Sequence, residues 1–157
     1  MIHQSIKQPK ELELLKRLVG EWAAGIAMKT SDDKVFSGCG TMTAKEVASG
    51  FGVNTEFNMH IEGYADYLEH DLWTFDRWTG KVHLFSVTSS GAVHDHVGAW
   101  KDDETLALHW SGIYEDTQTA EDITLSWQSN DEIRIIETDS SEGKTSMTTE
   151  YVLKRKT

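Results

Sequence analysis

The chain has 157 residues, with 26 acidic against 15 basic side chains, a formal net charge of −11 and one cysteine. A chain of this length suits one domain, burying roughly 68–70% of the surface its unfolded form exposes, so residues 1–157 are read as one unit. Lys and Arg are scattered apart from Lys154, Arg155 and Lys156. This acidic balance repels phosphate backbones and anionic bilayers, which sets nucleic acid and membrane aside as partners.

The lone Cys39 excludes an intrachain disulfide and any CxxC motif, and in a strand-like stretch it reads as a small buried hydrophobe. The N-terminal MIHQSIKQPKELELL lacks the uninterrupted apolar core of a signal peptide. No later run approaches the ~18 apolar residues of a membrane span, and a cytoplasmic location is expected.

In chain order, helical periodicity occurs once, in PKELELLKRLVG. There Leu12, Leu15 and Leu18 or Val19 share a face, and Glu13 stands one helical turn before Arg17. Pro9 suits the first helical position and Gly20 the stop. Beyond Gly20 the chain reads as strands of roughly ten residues, parted by turn signals such as SDDK, SGFG, EGY, DRWTG, SSGA, KDDE, SND and SSEGK. About ten twisted strands in sequence tend to close on themselves. The expected fold is therefore all-β, an antiparallel up-and-down meander barrel with a short N-terminal helix closing one end.

Alternation marks the inner face of several strands. Trp22, Ala24, Ile26 and Met28 form one such row; Phe51, Val53, Phe57, Met59 and Ile61 another; Leu106, Leu108 and Trp110, then Ile123, Leu125 and Trp127, then Met147, Tyr151 and Leu153 the rest. Residues 64–100 carry polar groups on both faces, and there the turns must set the register. Two-residue turns at Asp102-Asp103 and Ser90-Gly91 place Asp95 opposite both Trp110 and Ser86. The loop RWTG then places Ser86 opposite Asp71. On this register Tyr67, Glu69, Asp71, Trp73, Ser86, Thr88, Asp95 and Val97 face inward, whereas His70, His83, His94, His96 and His109 face outward. A one-residue change at either turn exchanges the faces of the strand beyond it.

Two constellations follow. Glu69, Asp71 and Asp95 converge inside, where mutual repulsion in a partly apolar cavity raises at least one pKa and equips it for acid or base work. The plainer alternative is that Ser86, Tyr67 and water solvate them near the barrel mouth. The second constellation is His94, His96 and His109, whose spacing suits zinc. Its position on the solvent side, beside Phe85 and Trp100, favours instead a homodimer contact or a solvated face. No G-x-S-x-G elbow, P-loop or Rossmann fingerprint is present.

Gly20-Glu21-Trp22 after a short helix resembles the G-x-W signature of lipocalins and the wider calycin superfamily. The likeness extends through LKRLVGEW, SGCGTMT, Phe75-Asp76 with Gly80, the Gly91 hairpin and YVLKRK to a bacterial domain-of-unknown-function family of lipocalin-like barrels. In calycins a basic residue from the end of the barrel lies across the signature Trp. Arg155 shares the parity of Tyr151 and Leu153, so it can stack on Trp22. The resemblance implies a barrel with a possible ligand and no established activity.

Haem-binding barrels of the nitrobindin type use a histidine near the C-terminus, and none follows His109, so no haem or other cofactor is expected. Fatty-acid binders use inward basic residues, and Arg134 reads as outward. The leading expectation is a binding barrel for a small neutral or cationic, partly apolar molecule. It would lie between Phe57, Trp73, Trp110 and Tyr151, with Tyr67, Ser86, Glu69, Asp71 and Asp95 as polar contacts. The alternatives are an enzyme using the same carboxylates and a dimeric or metal-binding module using the outer histidine face.

Overall fold

The computed structural model describes residues 7–157; residues 1–6 of the N-terminal stretch read above lie outside them. Helix α1 (Lys10–Lys16) precedes ten strands: β1 (Gly20–Thr30), β2 (Val35–Val47), β3 (Gly52–Ile61), β4 (Tyr67–Asp76), β5 (Lys81–Thr88), β6 (Val93–Trp100), β7 (Thr105–Tyr114), β8 (Thr117–Ser129), β9 (Glu132–Ser141) and β10 (Lys144–Arg155). Each strand pairs antiparallel with its neighbours in sequence, and β10 closes the barrel on β1. Full closure leaves no unpaired edge. No helix among the described residues is long and apolar enough to cross a membrane.

The helix is shorter than its periodic stretch. Pro9 stands just before it with extended backbone (ψ 155°) and not at its first position. Its C-terminal end tightens as Leu18 N–H bonds the Leu15 carbonyl and Val19 N–H bonds the Lys16 carbonyl, each at 3.0 Å. This turn swings Leu18 in beside Leu12 and Leu15, and all three are buried as a plug in the barrel base.

Above the plug the inward rows change character along the barrel axis. Row by row they run from Trp73 through Asp71 to Glu69 on β4, from Leu84 through Ser86 to Thr88 on β5, from Leu125 through Ile123 to Glu121 on β8, and from Ile133 through Ile135 to Glu137 and Asp139 on β9. The base is therefore a packed apolar core, whereas the opposite end is polar and hollow. One half stabilises the fold and the other is free to bind.

Trp22 is fully buried at the base, and its indole N–H donates to the Leu18 carbonyl at 2.8 Å. Arg155, paired with Trp22 across β1 and β10, holds its guanidinium 4.1 Å from the Trp22 ring centre. The same guanidinium donates to the carbonyls of Val19 (2.8 Å) and Arg17 (3.0 Å), capping the end of the helical segment. Gly20 makes room for it: at φ +135°, a Cβ there would stand 2.7 Å from an Arg155 nitrogen. A second cation, Arg17, lies 4.1 Å over the Trp127 ring.

The register of β4 on β5 agrees with the sequence reading, Trp73 opposite Leu84 and Asp71 opposite Ser86. Strand β6 differs. Val97 stands opposite His83 and His109, and Ser86 opposite His94, one residue away from the expected pairing on both sides. The cause lies in the two turns, each of which has three residues and not two. Thr88 N–H bonds the Ala92 carbonyl at 3.1 Å around Ser89-Ser90-Gly91, where Gly91 takes φ +87°. Lys101 N–H bonds the Thr105 carbonyl at 2.8 Å around Asp102-Asp103-Glu104, and the Glu104 N–H is held by Asp102 Oδ1.

Together the two shifts slide β7 by two residues relative to β5, an even number, so β5 and β7 keep their expected faces and β6 alone is turned over. Asp95 and Val97 therefore face outward, and His94, His96 and Trp100 face inward. Cys39 also departs from expectation, being exposed on β2 and not buried.

Candidate functional site

The hollow end encloses a cavity of about 640 Å³ that opens at the mouth opposite α1. Its walls are Met28, Met59, Ile123, Trp110 and Tyr151, and its polar groups come from seven strands, β4 to β10, and the loops at the mouth. Among the sequence-derived residues, Tyr67, Glu69, Ser86, Trp110 and Tyr151 line it directly. Phe57 is buried against Tyr151 (ring centres 5.6 Å apart). Asp71 and Trp73 sit just beneath, both buried.

Asp95 is not part of the site. Its carboxylate bonds His83 Nδ1 on the outer face at 2.9 Å, because β6 is turned over. His109 is likewise outside, exposed and bonded to Asp122 at 2.8 Å, so the trio His94, His96 and His109 does not converge.

Beneath the cavity a hydroxyl chain orders the acids. Trp73 N–H donates to Thr55 Oγ1 (3.0 Å), and Thr55 donates in turn to Asp71 Oδ2 (2.9 Å). The Ser86 hydroxyl donates to Asp71 Oδ1 at 2.7 Å and stands 3.2 Å from Glu69 Oε1. Burial pushes Glu69 well above the ordinary carboxylate range, with the Asp71 charge adding to it, and burial raises Asp71 as well.

Across the cavity, Trp110 and Glu121 are direct partners of the β7–β8 ladder and share its inner face. The His94 ring stacks on Trp110 with centres 3.7 Å apart. His94 Nδ1 (3.0 Å) and His96 Nε2 (2.7 Å) both address Glu121 Oε2. Burial opposes the charge on Glu121, but the His96 hydrogen bond and the fields of the His94 and His96 rings outweigh it and hold this carboxyl below its ordinary value.

On β9 the balance is reversed. Glu137 is pushed up to about 8 by burial, then by the charges of Asp139 and Glu121. Asp139 is raised to about 6 by burial and by Glu121. Tyr151 reaches toward Glu137 (3.5 Å), and burial among carboxylates raises its hydroxyl too.

Glu121, Glu137 and Asp139 were not among the sequence-derived candidates. Their signal was present in the alternation, since Glu121 continues the row of Ile123 and Leu125, and Glu137 and Asp139 continue that of Ile133 and Ile135. Reading inward faces from apolar residues alone stops each row where the core ends and the cavity begins.

No family model matches the sequence, and no curated protein matches it. Among solved structures, the S-type phycobiliprotein lyase CPES from Guillardia theta superposes with a TM-score of 0.64 at 13% identity, covering 92% of each chain. Rv2717c from M. tuberculosis gives 0.74 at 18% identity, over 96% of this chain and 100% of the other. The barrel EF1p2_mFAP2b bound to DFHBI gives 0.52 at 11%, over 94% and 100%. The fold is a closed, lipocalin-like antiparallel barrel of ten strands. At these identities the likeness extends to architecture alone. Within that architecture Trp22, Arg155 and Gly20 close the base of the barrel, and the cavity residues are this chain's own.

Proposed function

We propose that this calycin barrel binds a small, partly apolar molecule that is neutral or cationic, with its apolar part against Trp110, Tyr151, Met28 and Met59. The observation that carries the reading is the lining itself. Glu69, Glu121, Glu137 and Asp139 stand around a cavity of about 640 Å³ with no Lys or Arg among its described lining residues. An anionic ligand would meet uncompensated repulsion there, whereas a protonated amine or a hydrogen-bond donor relieves it. One barrel of like fold is bound to DFHBI, which supports the use of such an interior for small molecules.

A thermal-shift series of matched amines, alcohols and carboxylates on one apolar scaffold tests this, because a ligand selective for the native state raises its midpoint. Amines are expected to raise it, alcohols less, carboxylates not at all. Stabilisation by the carboxylates alone would reject the reading.

Acid–base catalysis is a second reading, with one observation behind it. Glu137 (about 8) and Asp139 (about 6) titrate near neutrality at the cavity wall. It transfers the acid or base role from Glu69, Asp71 and Asp95 to the β9 pair.

A further inference from the structure

We propose that His94, His96 and Glu121 form a site for one divalent transition-metal ion, zinc in the first instance, inside the barrel. The sequence reading set a metal aside because it placed these histidines on the solvent side and completed them with His109. With β6 turned over, that objection falls and the third donor becomes Glu121.

The geometry is that of a converged donor set. His94 and His96 are two apart on one strand and so point the same way, while Glu121 arrives from β8 opposite Trp110. One atom from each of the three lies within 4.8 Å of the others. Both imidazole nitrogens already face a single carboxylate oxygen, at 3.0 and 2.7 Å. Metal bonds of about 2.0–2.1 Å in tetrahedral array set donors about 3.3 Å apart, so each would retreat by only a few tenths of an ångström. Two imidazoles and a carboxylate match the preference of zinc and its first-row neighbours over calcium or magnesium.

Three further observations bear on that triangle, and one of them, on Asp139, lies outside it. His96 is 2% exposed, far from the setting of an adventitious surface histidine, and it is Nε2 that it turns to Glu121. Asp139 Oδ2 is buried and has no hydrogen-bond partner among the described residues, and carboxyl oxygens of Glu137 and Asp139 lie within 4.8 Å of one on Glu121. Their nearness to Glu121 offers a further oxygen donor, or an acceptor for a metal-bound water, beside the three. Finally, the Trp110 ring stacked on His94 fixes that imidazole, which lowers the ordering cost of binding. Three protein donors beside an open cavity leave one coordination position free.

The experiment uses untagged full-length chain freed of metal by a chelator, titrated with Zn²⁺ alone by calorimetry, and with Co²⁺ followed by its visible d–d absorption. One equivalent of Zn²⁺ is expected to bind, with Co²⁺ giving the intense bands of a low-coordinate site. His96→Ala and Glu121→Gln should each weaken Zn²⁺ by more than about tenfold, and His109→Ala should leave it unchanged. Circular dichroism of each variant reports folding, and should His96→Ala prove unfolded, the near-isosteric Glu121→Gln decides. Failure to bind one equivalent, equal binding by Glu121→Gln, or loss on His109→Ala would overturn the proposal. No organic ligand enters this test, so its outcome is separate from that of the thermal-shift series.

Discussion

At the scale of the residue, Arg155 does more than cover an aromatic ring. Its guanidinium lies on Trp22 and also holds the Val19 and Arg17 carbonyls, so three elements meet on one side chain. Trp22→Ala removes a fully buried large aromatic and is expected to cost about 3–5 kcal/mol. Arg155→Ala is expected to cost about 2–3 kcal/mol, since charge-assisted hydrogen bonds are lost together with the cation–π contact. Because the two share a contact, the double variant should lose less than the sum. Urea titrations of the four proteins in the cycle check this, and strict additivity would mean the ring and the cation do not act together. Arg155→Lys should recover little, as an ammonium cannot address two carbonyls and a ring face at once.

At the scale of the element, the orientation of β6 decides the chemistry of the site. Two three-residue turns turn this strand over and leave its neighbours in place. The consequence is a graded reactivity of histidines toward an acylating reagent such as diethyl pyrocarbonate. His109 (54% side-chain exposure) should modify fast, His94 (13%) slowly, and His96 (3%) only on unfolding. Mass spectrometry of timed digests reads the order. Rapid modification of His96 in the folded chain would restore the outward register expected from two-residue turns.

At the scale of the whole molecule, buried carboxyls couple folding to pH. Glu69 and Glu137 have folded-state pKa values raised by burial, Glu137 to about 8, so the native state holds protons that the unfolded chain releases. Their contribution is fully present below the unfolded value of about 4.3 and is lost as pH rises through the folded values. Glu121, whose value is lowered, acts in the opposite sense and loses its contribution only as pH falls through its own range.

The metal-free protein should therefore lose stability steadily between about pH 5 and 8, as denaturant midpoints across that range will show. Glu69→Gln should raise the midpoint at pH 8 and flatten the slope, because a neutral amide removes the proton linkage without emptying the space. A midpoint that stays flat over this window would mean the acids are solvated, as in the plainer reading of the barrel mouth.

The sequence by itself determined the ten-strand barrel, the helical plug and the Trp22–Arg155 closure. Period-two alternation in β1, β7, β8 and β10, with Gly and Asp turns between, suffices where one face of a strand is apolar and the other polar. Placing Glu69, Asp71, Trp73 and Ser86 on the inner side was possible for the same reason, through a ladder whose loop length was read correctly. Only the tertiary structure decided β6, because Val93, Val97 and Ala99 share a face with Asp95 while Trp100 shares the other with His94 and His96, so neither face is consistently apolar and alternation does not orient the strand. Its register passes instead to the backbone of two turns, where Gly91 in the left-handed region and the Asp102 cap each admit a third residue. The same limit hid Glu121, Glu137 and Asp139. Hydrophobic patterning marks where water is excluded by packing, and a cavity is where packing stops, so the parity of each row carries its lining acids inward while only closure of the barrel brings them together.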